Sequence, residues 1–248
     1  MTTLFIALVA GALVGLALGA LGGGGSVLAV PVLIHVLGFT PVAATTASLL
    51  IVTATSVTAL IAHAREENVS WRTGSLFAAA GIIPAMLTGV LAARVPDAVL
   101  TGAFAVIALV AALRMLRPAA VVDGEREIRM APAAAAGAGL GAVTGFLGVG
   151  GGFLAVPALV GVLGLKMRLA VGTSLLVITI NSLAALAART GTAHGLDWSV
   201  IAPFAGAAVL GAWDGKRLAA RLSGGLLQRV FAVLLLAVAL FMLVGVII

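Results

Sequence analysis

The 248-residue chain contains no cysteine, and charged residues make up only 9% of it. The first absence excludes disulfides, thiolate metal sites and persulfide chemistry, and removes any clue to the redox compartment. The second excludes an ordinary soluble domain, in which roughly a quarter of the residues are charged. The few ionisable residues do not gather either. No carboxylate pair, metal-ligand cluster or nucleophile constellation can be read along the chain, so nothing in it points to an enzyme, a metal or a cofactor. No basic residue precedes the first apolar run, MTTLFIALVAGALVGLALGALG, and no convincing cleavage site follows it. That run is expected to belong to the mature fold rather than to a signal peptide.

What is abundant is apolar side chain. The chain is 62% hydrophobic with a mean hydropathy of +1.28, which makes the lipid bilayer its expected solvent. A hydrocarbon core about 30 Å thick takes about 20 apolar residues per helical crossing. Ten apolar segments follow, at roughly 4–21, 27–37, 42–62, 72–93, 97–116, 132–147, 153–164, 168–188, 198–219 and 225–247. The second and seventh are short enough to reach only about halfway at about 1.5 Å per residue. The fold class is therefore an all-α integral membrane protein. A net charge of +6 is compatible with nucleic acid, but these charges sit in short loops between apolar segments, where lysine and arginine set topology. No nucleic-acid partner is expected.

The chain repeats itself. A shift of about 126 residues lays Gly15 on Gly141, Gly19 on Gly145, Pro31 on Pro157 and Ser48 on Ser174. One residue more lays LAARVPDAVL (Leu91 to Leu100) on LAARLSGGLL (Leu218 to Leu227). Two halves are expected, 1–116 and 132–248, joined by a charged cytoplasmic linker at 117–131. Suppose that the first two segments together return the chain to its starting side. Then Arg65, Arg72, Arg114, Arg117, Arg126, Arg129, Lys166, Arg168, Lys216, Arg217, Arg221 and Arg229 lie at one face, with Arg94 and Arg189 at the other. The basic-rich face is cytoplasmic by the positive-inside rule. Each half then makes an odd number of further crossings, so the second half is inverted relative to the first, as in secondary transporters, and both termini face away from the cytoplasm. Trp71, Trp198 and Trp213 fall at segment ends, as interfacial anchors do.

Each short segment opens on glycines: GALGGGGSVLAVPVL from Gly19 and GFLGVGGGFLAVPAL from Gly145. Irregular backbone inside a bilayer is tolerated only where protein buries it or a watery cavity hydrates it. Matching glycine loops in two inverted halves point to a shared cavity near the midplane. Helix starts at Ser26 and Phe153 would aim their unpaired N–H groups into it, and bare backbone there would favour a small anion. The candidate binding residues are Gly22, Gly23, Gly24, Gly25 and Ser26, with Gly148, Gly150, Gly151 and Gly152. The next long segments add hydroxyls in matching pairs, Ser48 with Ser174, Thr53 with Thr179 and Ser56 with Ser182. Of these Ser48, Ser174 and Thr53 are candidates, together with Thr173 and Asn181; such hydroxyls could instead bond to their own helix or join neighbouring helices. The glycines likewise could serve close helix packing alone. His35, whose partner in the repeat is Gly161, is the candidate for carrying a coupling proton. Asp214 is expected to form an interfacial ion pair with Lys216 or Arg217.

The paired phrases GALGGGGSVLAVPVL and GFLGVGGGFLAVPAL, each followed by a hydroxyl-bearing segment (TTASLL and VGTSLL), resemble the duplicated signature of the TauE/SafE sulfite exporter family. The resemblance covers nearly all of the chain. It implies a bacterial or archaeal inner-membrane transporter whose partner is a small sulfur-containing anion, such as sulfite, sulfoacetate or another organosulfonate. A passive anion channel on the same scaffold and a non-transporting assembly subunit are the alternatives. The chain departs from the family at GAWDGKRLA, Gly211 to Ala219, where Trp213 and Asp214 stand among glycines and argue against close packing at this end. One 24.4 kDa chain could hold a complete pathway, and nothing in the sequence excludes a homodimer.

Overall fold

The computed structural model describes residues 2–92, 97–116, 130–147, 152–188 and 197–247, and among them all regular structure is helical. The helices are α1 (Thr2–Leu21), α2 (Gly24–His35), α3 (Pro41–Ala64), α4 (Trp71–Ala92), α5 (Asp97–Leu116), α6 (Met130–Leu147), α7 (Gly152–Gly161), α8 (Met167–Ala188), α9 (Trp198–Arg221) and α10 (Gly224–Ile247). Each apolar segment of the sequence corresponds to one helix. The short helices start earlier than Ser26 and Phe153, at Gly24 and Gly152. The reason is visible before α2. Gly22, at φ +66°, turns the chain, and its N–H donates to the carbonyl of Leu18 at 2.8 Å, which closes α1. The chain is then free to wind again at once. Glycine's weak helix propensity is outweighed because helix formation satisfies peptide groups that lipid cannot.

The two short helices end alike. The N–H groups of Gly38 and Phe39 donate to Ile34 and Leu33 at 3.2 and 2.9 Å; those of Gly164 and Leu165 donate to Val160 and Leu159 at 3.2 and 3.0 Å. Gly38 and Gly164 both take left-handed backbone, φ +71° and +67°. The repeat read in the sequence is thus matched by repeated cap geometry.

Helix pairing crosses between the halves. The first helix of each half packs on the fourth of the other, α1 on α9 and α6 on α4, while α3 packs on α8, α5 on α10 and α2 on α7. Exchanging each helix for the one five later leaves these pairs unchanged. In lipid no hydrophobic gain holds helices together, so small residues that admit close approach decide the seams. A Cβ at Gly11, Gly15 or Gly19 would run into the backbone of Phe204, Ala208 or Ala212 on α9; one at Gly137 or Gly141 would meet the backbone of Phe77 or Gly81 on α4. These glycines serve packing.

The outer surface is greasy. Phe5, Leu87 and Leu210 are 69%, 69% and 70% exposed, which suits side chains solvated by lipid. Among the described residues, four spans are long and apolar enough to cross a membrane: Thr3–Leu21, Ala43–Ala64, Met167–Ala187 and Gly224–Val244. The protein is a multi-pass, all-helical membrane protein. Trp71 and Trp198 open α4 and α9 and are 55% and 58% exposed, positions suited to interfacial anchors.

Candidate functional site

The α3–α8 seam sets the geometry of the hydroxyl residues. Thr179 Oγ1 is hydrogen-bonded to Ser56 Oγ at 3.0 Å, and a Cβ at Gly172 would run into the carbonyl of Asn68, just past the end of α3. Rising numbers on one helix meet falling numbers on the other, so the two run antiparallel. This register has a consequence for Ser48 and Ser174. Eight residues separate Ser48 from Ser56 and five separate Ser174 from Thr179, in opposite directions along the seam. At about 1.5 Å per residue the two serines stand about 20 Å apart. Both are buried, but they do not line one point.

Ser174 belongs with the first glycine loop. A Cβ at Gly22 would run into Ser174 Oγ and come within 3.0 Å of the Val171 carbonyl. The Ser174 hydroxyl donates to that carbonyl at 2.7 Å, so its lone pairs, not its proton, are presented to the loop. Donors are supplied by backbone instead. Gly23 is the N-cap of α2 and has no side chain to cap it; Gly24, Gly25 and Ser26 form the first turn, whose N–H groups have no acceptor within the helix. Pro31, further along α2, removes one more N–H. In the second half, Gly152 opens α7, with Pro157 at the matching place. Gly148, Gly150 and Gly151 lie outside the described residues.

The remaining candidates divide. Thr53 is half-buried and donates to the carbonyl of Leu49 at 2.7 Å, and Thr179 shares its one hydroxyl proton between the carbonyl of Leu175 at 2.8 Å and Ser56 Oγ. Both bond back to their own helix while standing on the α3–α8 seam. Asn181 is half-buried on α8. Thr173 is fully buried, and its Oγ1 accepts the N–H of Ser70 at 3.0 Å, which holds the α3–α4 connection against α8. Thr173→Val keeps the shape and removes the acceptor, leaving a part-buried N–H unpaired. We expect a destabilisation of about 1–3 kcal/mol, seen as a lowered Tm in detergent. An unchanged melt would mean that water takes over this bond. His35 is exposed at the far end of α2 from the glycines, its ring edge-on to Phe241 with centroids 5.7 Å apart.

One end of the bundle gathers the basic side chains. Lys216 pairs with Glu66, joining α9 to the α3–α4 loop. Arg168 donates to the carbonyls of Ala220 and Leu222 at 3.0 Å, and Gln228 to that of Met115 at 2.7 Å. These bonds bring together the ends of α3, α5 and α9 with the starts of α4, α8 and α10. Asp214 pairs with Arg217 at 3.5 Å across one helical turn, while Lys216 is committed to Glu66. The close packing that Trp213 and Asp214 argued against is retained. A Cβ at Gly211 or Gly215 would run into the carbonyl of Ala12 or Leu16 on α1, whereas Trp213 and Asp214 occupy a different, exposed face of α9. A spacing of four keeps the glycines on one helical face and turns Trp213 and Asp214 away from it.

Sequence reasoning missed His63, which stands just past the third apolar segment. It is buried, its Nε2 lies 3.2 Å from the carbonyl of Gly19, and its Nδ1 has no partner. The ring thus ties the end of α3 to the last turn of α1, just before the glycine loop. A histidine at the end of a long apolar segment was the available signal.

Comparison with known proteins follows the same extent of chain. A family model for the sulfite exporter TauE/SafE matches residues 7–242. Two proteins of Xylella fastidiosa, from strains 9a5c and Temecula1, are each named probable membrane transporter protein. Each is 36% identical over 248 residues, covering 96% of this chain and 94% of its own length. No solved structure gives a significant match. The match takes in both glycine-opened short helices and every seam described above, and the chain therefore belongs to the sulfite exporter TauE/SafE family of membrane transport proteins.

Proposed function

We propose that the protein carries a small sulfur-containing anion, such as sulfite or an organosulfonate, across the cell inner membrane by alternating access. The observation that carries this reading is the opening of α2. A helix start made of glycine follows directly on the turn at Gly22, which stands beside the buried Ser174 hydroxyl of the other half. Such a terminus carries roughly half a unit of positive charge and offers backbone N–H groups to an oxyanion without burying a lysine or arginine. The donors are the N–H groups of Gly24, Gly25 and Ser26, with the start of α7 at Gly152 as the equivalent station in the second half. Separation of Ser48 from Ser174 by about 20 Å makes these two stations along a path rather than one midplane cavity.

The crossed pairing of the halves and the antiparallel α3–α8 seam support an inverted repeat. The basic end of the bundle is then cytoplasmic and both termini face outward. The membrane potential, about 2.3 kcal/mol per charge per 100 mV, drives a monoanion out of a cell, which favours export.

The test is uptake of labelled sulfite by proteoliposomes, with and without a proton gradient, competed by sulfoacetate, thiosulfate, sulfate and chloride. Saturable flux inhibited by the other sulfur anions is expected. Flux that rises without limit would identify a channel, and no flux in folded protein would remove the sulfur anions as substrates. Dependence on the gradient would bring His35 into the mechanism.

A further inference from the structure

The α3–α8 seam carries four hydroxyls in two opposed pairs. Ser56 faces Thr179, and counting three residues along each helix in the antiparallel register brings Thr53 level with Ser182, one turn closer to Ser48. The repeat makes the pairs equivalent, since Thr53 corresponds to Thr179 and Ser56 to Ser182. They are not in the same state. Thr179 and Ser56 are hydrogen-bonded across the seam at 3.0 Å, and Ser56 in turn donates to the Thr53 carbonyl at 3.2 Å, whereas the Thr53 hydroxyl donates to the Leu49 carbonyl of its own helix. Ser182 Oγ is buried, 1% exposed, and has no hydrogen-bond partner.

An orphaned hydroxyl in a membrane interior is costly, and the cost is tolerated where another arrangement uses the group. Two equivalent halves supply that arrangement. If they exchange conformations, the Thr53–Ser182 bond forms and the Thr179–Ser56 bond opens. We propose that these four hydroxyls form a two-position latch between the Ser48 and Ser174 stations, with Ser182 the residue whose bond belongs to the opposite state. The proposal rests on the reading of the chain as an inverted-repeat carrier. In the present structure the latch is made on the side of Ser174 and open on the side of Ser48. Transport by this route needs no ionisable group at the seam, in keeping with a core that holds hydroxyls there.

The experiment reads sidedness without any substrate. Because the chain has no cysteine, Ser48→Cys and Ser174→Cys each introduce a single thiol. Each is labelled by a membrane-impermeant maleimide from its own side of oriented vesicles, alone and combined with Ser182→Ala or Ser56→Ala. Ser182→Ala removes a bond made only in the opposite state. It should raise labelling at Ser48→Cys and lower it at Ser174→Cys by about fivefold, the factor a neutral hydrogen bond is worth. Ser56→Ala should do the reverse. Thr179 retains its bond to Leu175, so the variant should fold.

Shifts in the same direction for both variants, or none, would overturn the latch, as would the absence of labelling at either thiol in every background. Should Ser174→Cys fail to fold, opposite shifts at Ser48→Cys alone decide. Reciprocal labelling in a protein that moves no sulfur anion would retain the latch and refute the substrate.

Discussion

Gly22→Ala is expected to abolish sulfur-anion flux while leaving a folded, membrane-inserted protein. Two costs combine at this position. Left-handed backbone, φ +66°, costs a residue with a Cβ roughly 1–2 kcal/mol. The new methyl group would also run into Ser174 Oγ and press on the Val171 carbonyl, and those two atoms are already bonded to each other at 2.7 Å. The methyl group therefore displaces the α1–α2 turn from α8, and with it the start of α2, where the anion is proposed to meet backbone N–H groups. Gly38→Ala is the control. It has φ +71° and nothing within 4 Å of the added methyl, so it bears only the backbone cost. Flux and Tm measured on both variants separate the effects: Gly22→Ala should lose more Tm than Gly38→Ala, by the clash that Gly38 lacks, and flux should be lost only at Gly22. Normal flux in Gly22→Ala would remove this loop from the transport path.

Gly15→Leu should leave no folded protein to assay. The α1–α9 seam is built by backbone meeting backbone, and a Cβ at Gly15 already overlaps the carbonyl of Ala208. Overpacking of a core typically costs about 1–3 kcal/mol when side chains can shift. Here no side chain stands in the way to shift, so the helices must part along a seam that also includes Gly11 and Gly19. Lipid offers nothing to re-form it. Gly206→Leu is the matched control on α9, exposed and with nothing within 4 Å of its Cβ. Size-exclusion profiles in mild detergent should show loss of the monodisperse peak for Gly15→Leu alone. A stable Gly15→Leu would mean that α1 and α9 separate readily. An assembly subunit would depend on these packing glycines but not on Gly22, so the two glycine variants also test that alternative.

The ten helices among the described residues were legible because the bilayer imposes a length and a polarity on each crossing, and both are local properties. The shortness of α2 and α7 and their glycine starts were legible for the same reason. Their first residues were not, since the turn at Gly22 depends on a bond to Leu18 that no composition rule specifies. The hydroxyl pairs were found by the repeat, but their spacing along the seam was not. Ser48 and Ser174 correspond in sequence, but they lie on opposite sides of the Ser56–Thr179 contact in an antiparallel seam, which sets them at opposite ends of it. Thr173 offered no sign that it would hold Ser70, a partner 103 residues away.

Sequence alone determined that this protein lives in a bilayer, that its sequence repeats at a spacing of about 126 residues and that its short helices open on glycine, because spacing and composition act over a few turns of one helix. Only the tertiary structure decided which glycines pack helices and which one turns the chain beside Ser174. It also decided that the hydroxyls form one bonded and one unbonded pair. Those outcomes depend on the register between helices far apart in the chain, and register is set by the shapes that meet across each seam.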